Sequence, residues 1–389
     1  MRLRRRDFVR LSALGGGAIA FGPAFWRQAC AAPAEPGPSP YGPISSRPDA
    51  HGVRLPPGFT SRIIARSGEA VGGTGYTWHA APDGGACFEC PGGGWIYVSN
   101  CEWHPGGASA VVFDAGGGIE SAYRILSGTE MNCAGGPTPW GTWLSCEERP
   151  QGRVWECDPS RPSQGVVCGE LGTFAHEAVA VDPDGGHLYL TEDQPNGRLY
   201  RFTPTQWTRL SEGVLEAASV TGDAMRGLAT VRWVPCAKNL PASRQPSVAS
   251  RTTVFNGGEG CWYDSGVVYL TTKGDNRVWA YTPSSGRLEV IYAAAMFPGS
   301  PLSGGDNAVV SRSGDLFVAE DGRNRDICLI TPPPHRVVST FLRVHGHAGS
   351  ELTGPAFSPD GQRLYFSSQR GLTNSPYAGV TFEVSGPFR

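Results

Sequence analysis

The stretch Asn132-Cys-Ala-Gly-Gly-Pro-Thr-Pro-Trp-Gly-Thr-Trp-Leu-Ser-Cys-Glu-Glu148 predicts two strands joined by a turn that is rich in glycine and proline. A chain that leaves from Cys133, turns and returns through the apolar residues 140–144 brings both of its ends to one edge of a sheet. We therefore expect the Cys133 thiol and the carboxylates of Glu147 and Glu148 to lie together at that edge, and we place the chemistry there.

Five other segments share the pattern of this hairpin, in which an apolar strand ends in a polar or acidic tip. The six apolar strands occupy residues 95–98, 142–144, 188–190, 267–270, 316–318 and 364–366. Counted from Val98, Leu144, Leu190, Leu270, Phe317 and Phe366, they follow one another at steps of 46, 46, 80, 47 and 49 residues. A period in the high forties with several strands per unit is typical of a β-propeller.

The predicted fold class is therefore all-β, a six-bladed β-propeller that occupies residues 56–389. The long step indicates one unit plus an insertion at about residues 205–255, where we expect a short helix around Glu212 to Ala218. One or two β-sandwiches are the alternative, but they explain the regular spacing less well. The composition, with 54 Gly and 33 Pro among 389 residues, also favours short strands and turns.

Residues 1–32 are predicted to be a twin-arginine signal peptide. Arg5 and Arg6 precede a weakly apolar, Gly-rich stretch that ends in small residues at 29–32. The stretch is too short for a membrane span, so we expect export by the twin-arginine machinery to the periplasm or the cell exterior, without stable membrane insertion. A disordered basic arm and a lipid-anchored Cys30 are the alternatives.

The remaining chain is mildly acidic. Residues 1–32 carry six Arg and one Asp, so their removal changes the formal net charge from −2 to −7. Such a chain is a poor partner for nucleic acid and a suitable one for cations. Residues 33–55, with six Pro, are predicted to be a linker, and we expect the protein to be a monomer.

Ten cysteines follow the signal peptide. The pairs Cys87 with Cys90 and Cys157 with Cys168 are close enough in sequence to form disulfides. Neither pair has the second half of a zinc site, so disulfides or buried thiols are favoured over metal binding at these positions.

In a propeller, the starts of the inner strands and the ends of the second strands lie on one face. The predicted starts carry Trp78-His79, Asn132-Cys133, His176-Glu177, Gly258-Glu259, Asp306-Asn307 and Glu351, and the ends carry Glu102, Glu147-Glu148, Glu192-Asp193, Asp275, Glu320-Asp321 and Gln369. Turns such as Pro82-Asp83-Gly84 are predicted to be exposed hairpins on the opposite face. One face would therefore gather many carboxylates.

Converging carboxylates require neutralisation, and divalent cations provide it. Oxygen ligands suit calcium, whereas a thiolate suits a softer ion such as iron or zinc, so Cys133 beside Glu148, with His176 nearby, predicts a mixed site. Each residue also has a structural alternative: a buried small side chain for Cys133, a core histidine for His176, and a turn cap for Glu192-Asp193.

Several motifs together resemble the bacterial PhoX alkaline phosphatase family. They are the twin-arginine signal, Val98-Ser-Asn-x-Glu102, the 132–148 stretch, His176-Glu-Ala178 and Glu351-x-x-Gly-Pro-x-Phe-Ser-Pro-Asp-Gly361. The resemblance implies a six-bladed propeller and an exported, calcium-dependent phosphomonoesterase. It also implies a cluster of two ferric ions (Fe3+) and calcium ions (Ca2+), bridged by an oxo group and bound by a cysteine.

On that resemblance, Cys133 is the iron ligand and Glu148 bridges iron and calcium. Further metal ligands would be Glu192, Glu259, Glu351, Asn132, Asp306 and Asn307. Lys273 is the first candidate for the catalytic cation that binds the phosphate, followed by Arg277, Arg323 and Arg370. Cys101 stands where the family usually has histidine.

The predicted activity is hydrolysis of small phosphate esters without a side-chain nucleophile, because bound metals can polarise the phosphoryl group and supply the attacking oxygen. Three alternatives remain open at this point. They are another metal-dependent propeller hydrolase such as a calcium lactonase, a phosphodiesterase, and a binding propeller without catalysis.

Overall fold

A computed structural model of the protein describes residues 32–162, 165–322 and 324–389; the predicted signal peptide, apart from Ala32, lies outside these ranges. The strands of the described residues are β1 Glu35–Pro36, β2 Val53–Arg54, β3 Thr60–Arg66, β4 Pro82–Glu89, β5 Trp95–Cys101, β6 Gly107–Phe113, β7 Ile119–Leu126, β8 Asn132–Pro137, β9 Trp143–Glu147, β10 Val154–Cys157, β11 Val166–Val167, β12 His176–Asp182, β13 His187–Glu192, β14 Leu199–Gln206, β15 Arg209–Thr221, β16 Ala229–Pro235, β17 Gly258–Asp264, β18 Val267–Thr272, β19 Arg277–Thr282, β20 Arg287–Ala293, β21 Gly305–Val310, β22 Leu316–Glu320, β23 Asp326–Ile330, β24 Val337–Val344, β25 Leu352–Phe357, β26 Arg363–Ser368 and β27 Val380–Ser385.

Helical structure in the described residues is confined to single turns. The short 3-10 helices are Gly169–Leu171, Ala224–Arg226, Ala242–Arg244, Ala294–Met296 and Pro376–Ala378, and the α-helical turn is Pro246–Ala249. None of the described helices has the length and apolar character needed to cross a membrane.

The all-β class is confirmed, but the prediction of six separate blades is wrong. The strands form four sheets of the kind found in propeller blades and one sheet of nine strands. The four are β4–β7, β8–β11, β25–β27 with β3, and β21–β24 with the two short strands β1 and β2. The nine-stranded sheet curls back on itself, because its two edge strands, β12 and β17, lie against each other.

The stretch 205–255 accounts for the nine-stranded sheet. The expected helix at 212–218 is instead the middle of the long strand β15. Strand β16 pairs with β15 along its whole length and with β20 at Ala229 and Thr230, so it joins two four-stranded units into one sheet. The start of β16 is thereby paired on both sides.

The inner strands β4, β8, β12, β17, β21 and β25 contact one another in cyclic order around a central axis. Near the N-terminus, β3 pairs with β27 at the C-terminus and so ties the two ends of the ring together. Apolar side chains fill the space between neighbouring sheets; Val98 of β5 and Trp143 of β9, for example, belong to one buried cluster.

Residues that precede the ring also pack on it. Strand β1 pairs in parallel with β24, β2 pairs antiparallel with β24, and the backbone N–H of Ala34 donates to Ile291. The ten cysteines of the described residues are free thiols, so neither Cys87 and Cys90 nor Cys157 and Cys168 form a disulfide in this structure.

Every inner strand has a register shift within its first few residues, which marks a β-bulge. The two residues inside the six bulges are 83–84, 133–134, 177–178, 259–260, 306–307 and 354–355. A bulge places two residues opposite one and redirects their side chains. At the second bulge position, Gly84, Ala134, Ala178 and Gly260 are small, and they line the narrow centre of the ring.

The tight centre of the ring gives a test of this packing. A Cβ atom added at Gly84 would lie 2.4 Å from the Cα of Ala134, which is far inside a van der Waals contact. We expect Gly84→Ala to lower the free energy of unfolding by about 1–3 kcal/mol through overpacking. Gly73→Ala is the matched control, since a Cβ there meets nothing within 4 Å. Denaturant unfolding that showed equal stability for both variants would contradict the packing described here.

Candidate metal centre

The first position of five bulges carries a metal-ligand type of side chain: Asp83, Cys133, Glu177, Glu259 and Asp306. Their ligand atoms fall into overlapping groups in which all atoms lie within 4.8 Å of one another; these groups are Asp83 with Glu102 and Cys133, Cys133 with Glu148 and Glu177, and Glu177 with Glu259 and Asp306. We call these seven residues the carboxylate cluster. The Cys133 thiol donates to Glu177 Oε1 at 3.3 Å.

A second set of side chains comes from the residue that directly follows the end of each second strand. These residues are Glu102, Glu148, Asp193, Lys273, Asp321 and Gln369. Lys273 Nζ lies 2.7 Å from Glu259, 3.4 Å from Asp193 and 3.3 Å from Asp321. Gln369 Nε2 donates to Asp83 and Glu102.

The glutamates one position earlier point the other way, because side chains alternate along a strand. Glu147 accepts backbone N–H groups from Glu130 and Arg153, each at 3.1 Å. Glu320 accepts those of Ser303 and Asp326. In the acidic pairs that follow β9, β13 and β22, the first carboxylate therefore fixes a loop, and the second faces the site.

The same rule corrects one predicted ligand. Glu192 Oε2 accepts the Arg198 N–H at 3.1 Å and the Tyr200 hydroxyl at 2.8 Å, so its side chain is turned away from the carboxylate cluster. Asp193 takes the place that we had predicted for Glu192, because it stands one residue later and contacts Lys273.

Burial and mutual repulsion dominate the electrostatics of the cluster. Burial, reinforced by neighbouring carboxylates, raises the pKa of Asp83 to about 7 and that of Glu148 to about 10. Burial also raises the pKa of Glu259 to about 8, although the positive charge of Lys273 opposes the shift. Glu177 is fully buried, its pKa is raised well above the usual value, and its Oε2 has no hydrogen-bond donor among the described residues.

These features fit bound cations. A cation would return the carboxylates to their ionised form and would satisfy Glu177 Oε2. The Cys133 thiol, whose pKa is raised by burial and by the carboxylate of Asp83, would ionise most readily on a metal that accepts sulfur. The donor set of this centre is therefore suited to both a hard and a softer ion.

Glu351 and Asn307, two further predicted ligands, lie beside the cluster. The pKa of Glu351 is raised by burial and by Asp321 and Asp83, and Arg370 Nη2 lies 3.9 Å from its Oε1. Asn307 Nδ2 donates to Glu177 and Asp306, and its Oδ1 accepts the N–H of Gly354. Asn307 thus orients two acidic side chains.

The structure does not bring three other candidates into the cluster. Asn132 Oδ1 accepts from Gly107 N and the Thr129 hydroxyl, and its Nδ2 donates to Ser145, so its amide holds β8 in place. Arg277 pairs with Asp275 and lies over the Trp279 ring, because its side chain leaves from the first residue of β19.

His176 is a core residue whose pKa burial lowers to about 3, so it stays neutral. It packs on Phe174, with ring centroids 3.6 Å apart. Arg323, a further candidate for phosphate binding, lies outside the described residues.

Sequence reasoning placed Glu102 and Glu177 on the acidic face without naming them as ligands, and it placed Asp83 on the opposite face. Asp83 was predicted in an exposed hairpin, because Pro-Asp-Gly is typical of turns. It is instead 1% exposed, in the bulge at the start of β4. The signal that finds it is the repeat itself: Asp83, Cys133, Glu177, Glu259 and Asp306 occupy equivalent positions in successive units.

The two kinds of glutamate predict opposite effects of the same substitution. In metal-free protein at pH 7, we expect Glu147→Gln to lower the free energy of unfolding by about 1–3 kcal/mol, since an amide cannot accept both N–H groups. Glu148→Gln should raise the melting temperature by about 5 °C. With its raised pKa, the Glu148 carboxyl must take up a proton when the chain folds at neutral pH, and the free energy of this uptake is not needed with glutamine.

The pH dependence checks the sign of the Glu148 effect. A carboxyl group whose pKa is raised on folding stabilises the fold below its unfolded pKa, and this stability is lost as the pH rises towards the folded value of about 10. The gain from Glu148→Gln should therefore vanish near pH 4 and grow towards pH 8. Thermal unfolding in the presence of a chelator measures both variants, and a Glu148→Gln protein that is less stable at pH 8 would contradict the prediction.

Comparison with known proteins identifies a family for this chain. A sequence profile described as alkaline phosphatase PhoX matches residues 111–155 and 149–371, a span that contains Cys133, Glu148, Glu177, Glu259 and Asp306. A search of curated protein sequences found no significant match.

Two solved structures show the same type of fold. PhoX of Pseudomonas fluorescens, in complex with vanadate as a transition-state analogue, is 17% identical, with a TM-score of 0.69 over 88% of this chain and 98% of that chain. The gluconolactonase XC5397 of Xanthomonas campestris is 13% identical, with a TM-score of 0.52 over 90% of this chain and 99% of that chain. Since the sequence profile spans well over half of the chain, the chain belongs to the alkaline phosphatase PhoX family of phosphoric monoester hydrolases.

Proposed function

We propose that this protein is an exported, metal-dependent phosphomonoesterase that binds iron and calcium in the carboxylate cluster and hydrolyses small phosphate esters there. The observation that carries the proposal is the convergence of one thiol and six carboxylates, contributed by bulges and strand ends from all around the ring, with ligand atoms within 4.8 Å of their neighbours. Lys273 beside them supplies a positive charge for an anionic substrate.

The donor chemistry divides the cluster. Cys133, Glu148 and Glu177 form the group that contains sulfur and suit an iron ion, whereas Glu177, Glu259 and Asp306 offer only oxygen and suit calcium. Such ions, when bound, would neutralise phosphoryl oxygens and supply a deprotonated oxygen for attack.

The chain's own residues provide positioning and charge. Burial alone would lower the pKa of Lys273, but the carboxylates of Glu259 and Asp193 more than offset this and raise it, so Lys273 stays protonated. A protonated amine between carboxylates on one face of a half-open site can bind a phosphoryl oxygen by a charge-assisted hydrogen bond. Gln369 and Asn307 hold Asp83, Glu102 and Glu177 in fixed orientations by their amide groups.

The structural relatives support phosphoryl chemistry on this fold. Pseudomonas fluorescens PhoX binds vanadate, a transition-state analogue. The gluconolactonase shares the fold, so a lactonase activity is the competing interpretation for the fold alone. The thiol within the cluster favours the phosphatase, because a calcium lactonase site would need only oxygen and nitrogen ligands.

We also propose that the chain is made with the twin-arginine signal at residues 1–32 and exported to the periplasm or beyond, where it acts as a monomer. The six Arg of that segment and the family membership support this proposal. Fractionation of cells that express the chain, with Arg5→Lys/Arg6→Lys as the export-deficient variant, tests it.

Iron content tests the role of Cys133. We expect protein from its native export route to contain iron and calcium, and Cys133→Ser to lose iron and at least about 100-fold in kcat/KM for 4-nitrophenyl phosphate with calcium present. The matched control is Cys101→Ser, since the Cys101 thiol is also buried but donates to the Pro105 carbonyl, at 3.6 Å, and belongs to none of the groups of ligand atoms. Elemental analysis showing iron retained in Cys133→Ser would overturn the assignment.

The different contacts of Lys273 and Arg277, the two predicted catalytic cations, predict different effects of their substitution. We expect Lys273→Met to raise KM for the aryl phosphate and to weaken inhibition by vanadate by about 10- to 100-fold, because a charge-assisted hydrogen bond to phosphate is lost. Arg277→Gln should leave both quantities unchanged, since Arg277 contacts Asp275 and Trp279 instead. If Arg277→Gln instead changed KM and vanadate inhibition more than Lys273→Met does, Arg277 would be the cation that binds the phosphate.

A further inference from the structure

A cavity of about 310 Å³ is lined by residues that follow two of the strand ends at the carboxylate cluster. Part of its wall is Pro150 and Gln151, which follow Glu148, and part is Gln194 and Asn196, which follow Asp193. Because Glu148 belongs to the cluster and Asp193 contacts Lys273, the cavity opens on the same face as the proposed metal centre. Its volume is at the lower end of the range of small-molecule sites, about 300–1,000 Å³.

The remaining wall comes from a part of the chain that the other units lack. Residues 239–241, 243 and 244, within the insertion at 205–255, close the cavity on one side. A substrate whose phosphate lay at the cluster would therefore meet this inserted stretch with its organic part.

The floor of the cavity contains a carboxylate oxygen that accepts no hydrogen bond from the described residues. Glu192 is 1% exposed, and both of its hydrogen bonds, from Arg198 N and the Tyr200 hydroxyl, go to Oε2. In the equivalent glutamates Glu147 and Glu320, both oxygens accept a backbone N–H. Among the described residues, no group donates to Glu192 Oε1, so this oxygen is free to accept a hydrogen bond from a ligand in the cavity.

The rest of the lining favours hydroxyl groups over an aromatic ring. The side-chain amides of Gln151, Gln194, Asn196 and Asn239 form no hydrogen bond with the described residues and remain available to a ligand. The Phe174 ring is already engaged, because it stacks on Tyr200 and packs against His176, with centroids at 4.1 and 3.6 Å. Arg244 also lines the cavity, and its positive charge partly offsets that of Glu192.

We propose that this cavity binds the alcohol part of the substrate and selects hydroxyl-rich, non-aromatic phosphate esters, such as sugar and polyol phosphates. Glu192 Oε1 accepts a hydroxyl of the alcohol, and the amides around it bind the other hydroxyls. The inference rests on the proposed phosphatase function for its role in catalysis, but not for the binding of the alcohol itself.

An isosteric substitution at Glu192 tests the proposal. In Glu192→Gln, the Arg198 N–H and the Tyr200 hydroxyl hold the amide oxygen at the Oε2 position, so an NH2 group replaces the acceptor in the cavity. We expect kcat/KM for glucose 6-phosphate to fall at least about tenfold, as for a lost hydrogen bond to a charged group. The value for 4-nitrophenyl phosphate, which has no hydroxyl to offer, should stay within about twofold.

Two further variants distinguish a loss of substrate selectivity from a loss of stability. Glu320→Gln makes the same change at the equivalent strand end, away from the cavity, and should lower stability without altering the ratio of the two substrates. Asn239→Ala, on the exposed loop of the cavity, should lower that ratio about threefold or more without unfolding the protein. A ratio that is unchanged in both Glu192→Gln and Asn239→Ala would overturn the proposal.

A binding measurement separates this proposal from the proposed function. Saturation-transfer NMR with glucose alone needs neither metal ions nor turnover. We expect a signal with the unmodified chain and with Glu320→Gln, and its loss with Glu192→Gln. If no phosphate ester is hydrolysed and this pattern is still seen, the phosphatase proposal fails and the hydroxyl site stands; if glucose gives no signal, or the same signal with Glu192→Gln, the hydroxyl site is wrong.

Discussion

The β-bulge at the start of every inner strand is the constraint on which the site depends. In a regular antiparallel strand, the residue before a small axial residue would face the neighbouring sheet, whereas the bulge turns its side chain towards the axis. The axis has little room, so the second bulge residue is small in four of the six units, as Gly84 and Ala134 show. Each unit can therefore supply one ligand from its bulge and one from the end of its second strand, and a cluster arises only because the units form a ring.

The ring also forces like charges together. Burial with several carboxylates at close range disfavours ionisation, and the Lys273 amine forms ion pairs with three carboxylates, those of Glu259, Asp193 and Asp321. Such a centre lowers the free energy of unfolding of the metal-free chain. A cation that binds only the folded chain raises the free energy of unfolding again. Binding of the proposed cations would therefore be linked to folding through the same carboxylates.

The sequence alone predicted the all-β class, the repeat and the meeting of Cys133 with Glu148, because these depend on periodicity and on residue type. It could not predict the number of sheets, since that number depends on β16 pairing with both of its neighbours. It also assigned Glu192 in place of Asp193: in an acidic pair, a shift of one residue reverses the direction of the side chain. The sequence also predicted the wrong face for Asp83, because an Asp-Gly pair is compatible with a bulge as well as with a turn.

The two departures from regular repetition occur in the same place. The stretch 205–255 supplies β16, which merges two units into one sheet, and residues 239–244, which wall the cavity beside the cluster. Glu192 lies at the end of β13 in that merged sheet, and it is also the strand-end glutamate whose second oxygen lacks a backbone donor, in contrast to Glu147 and Glu320. In a fold whose ligands come from equivalent positions of every unit, the chemistry that the units share lies on the axis. Selectivity for one substrate over another has to come from a unit that differs, and the insertion provides that difference next to Asp193.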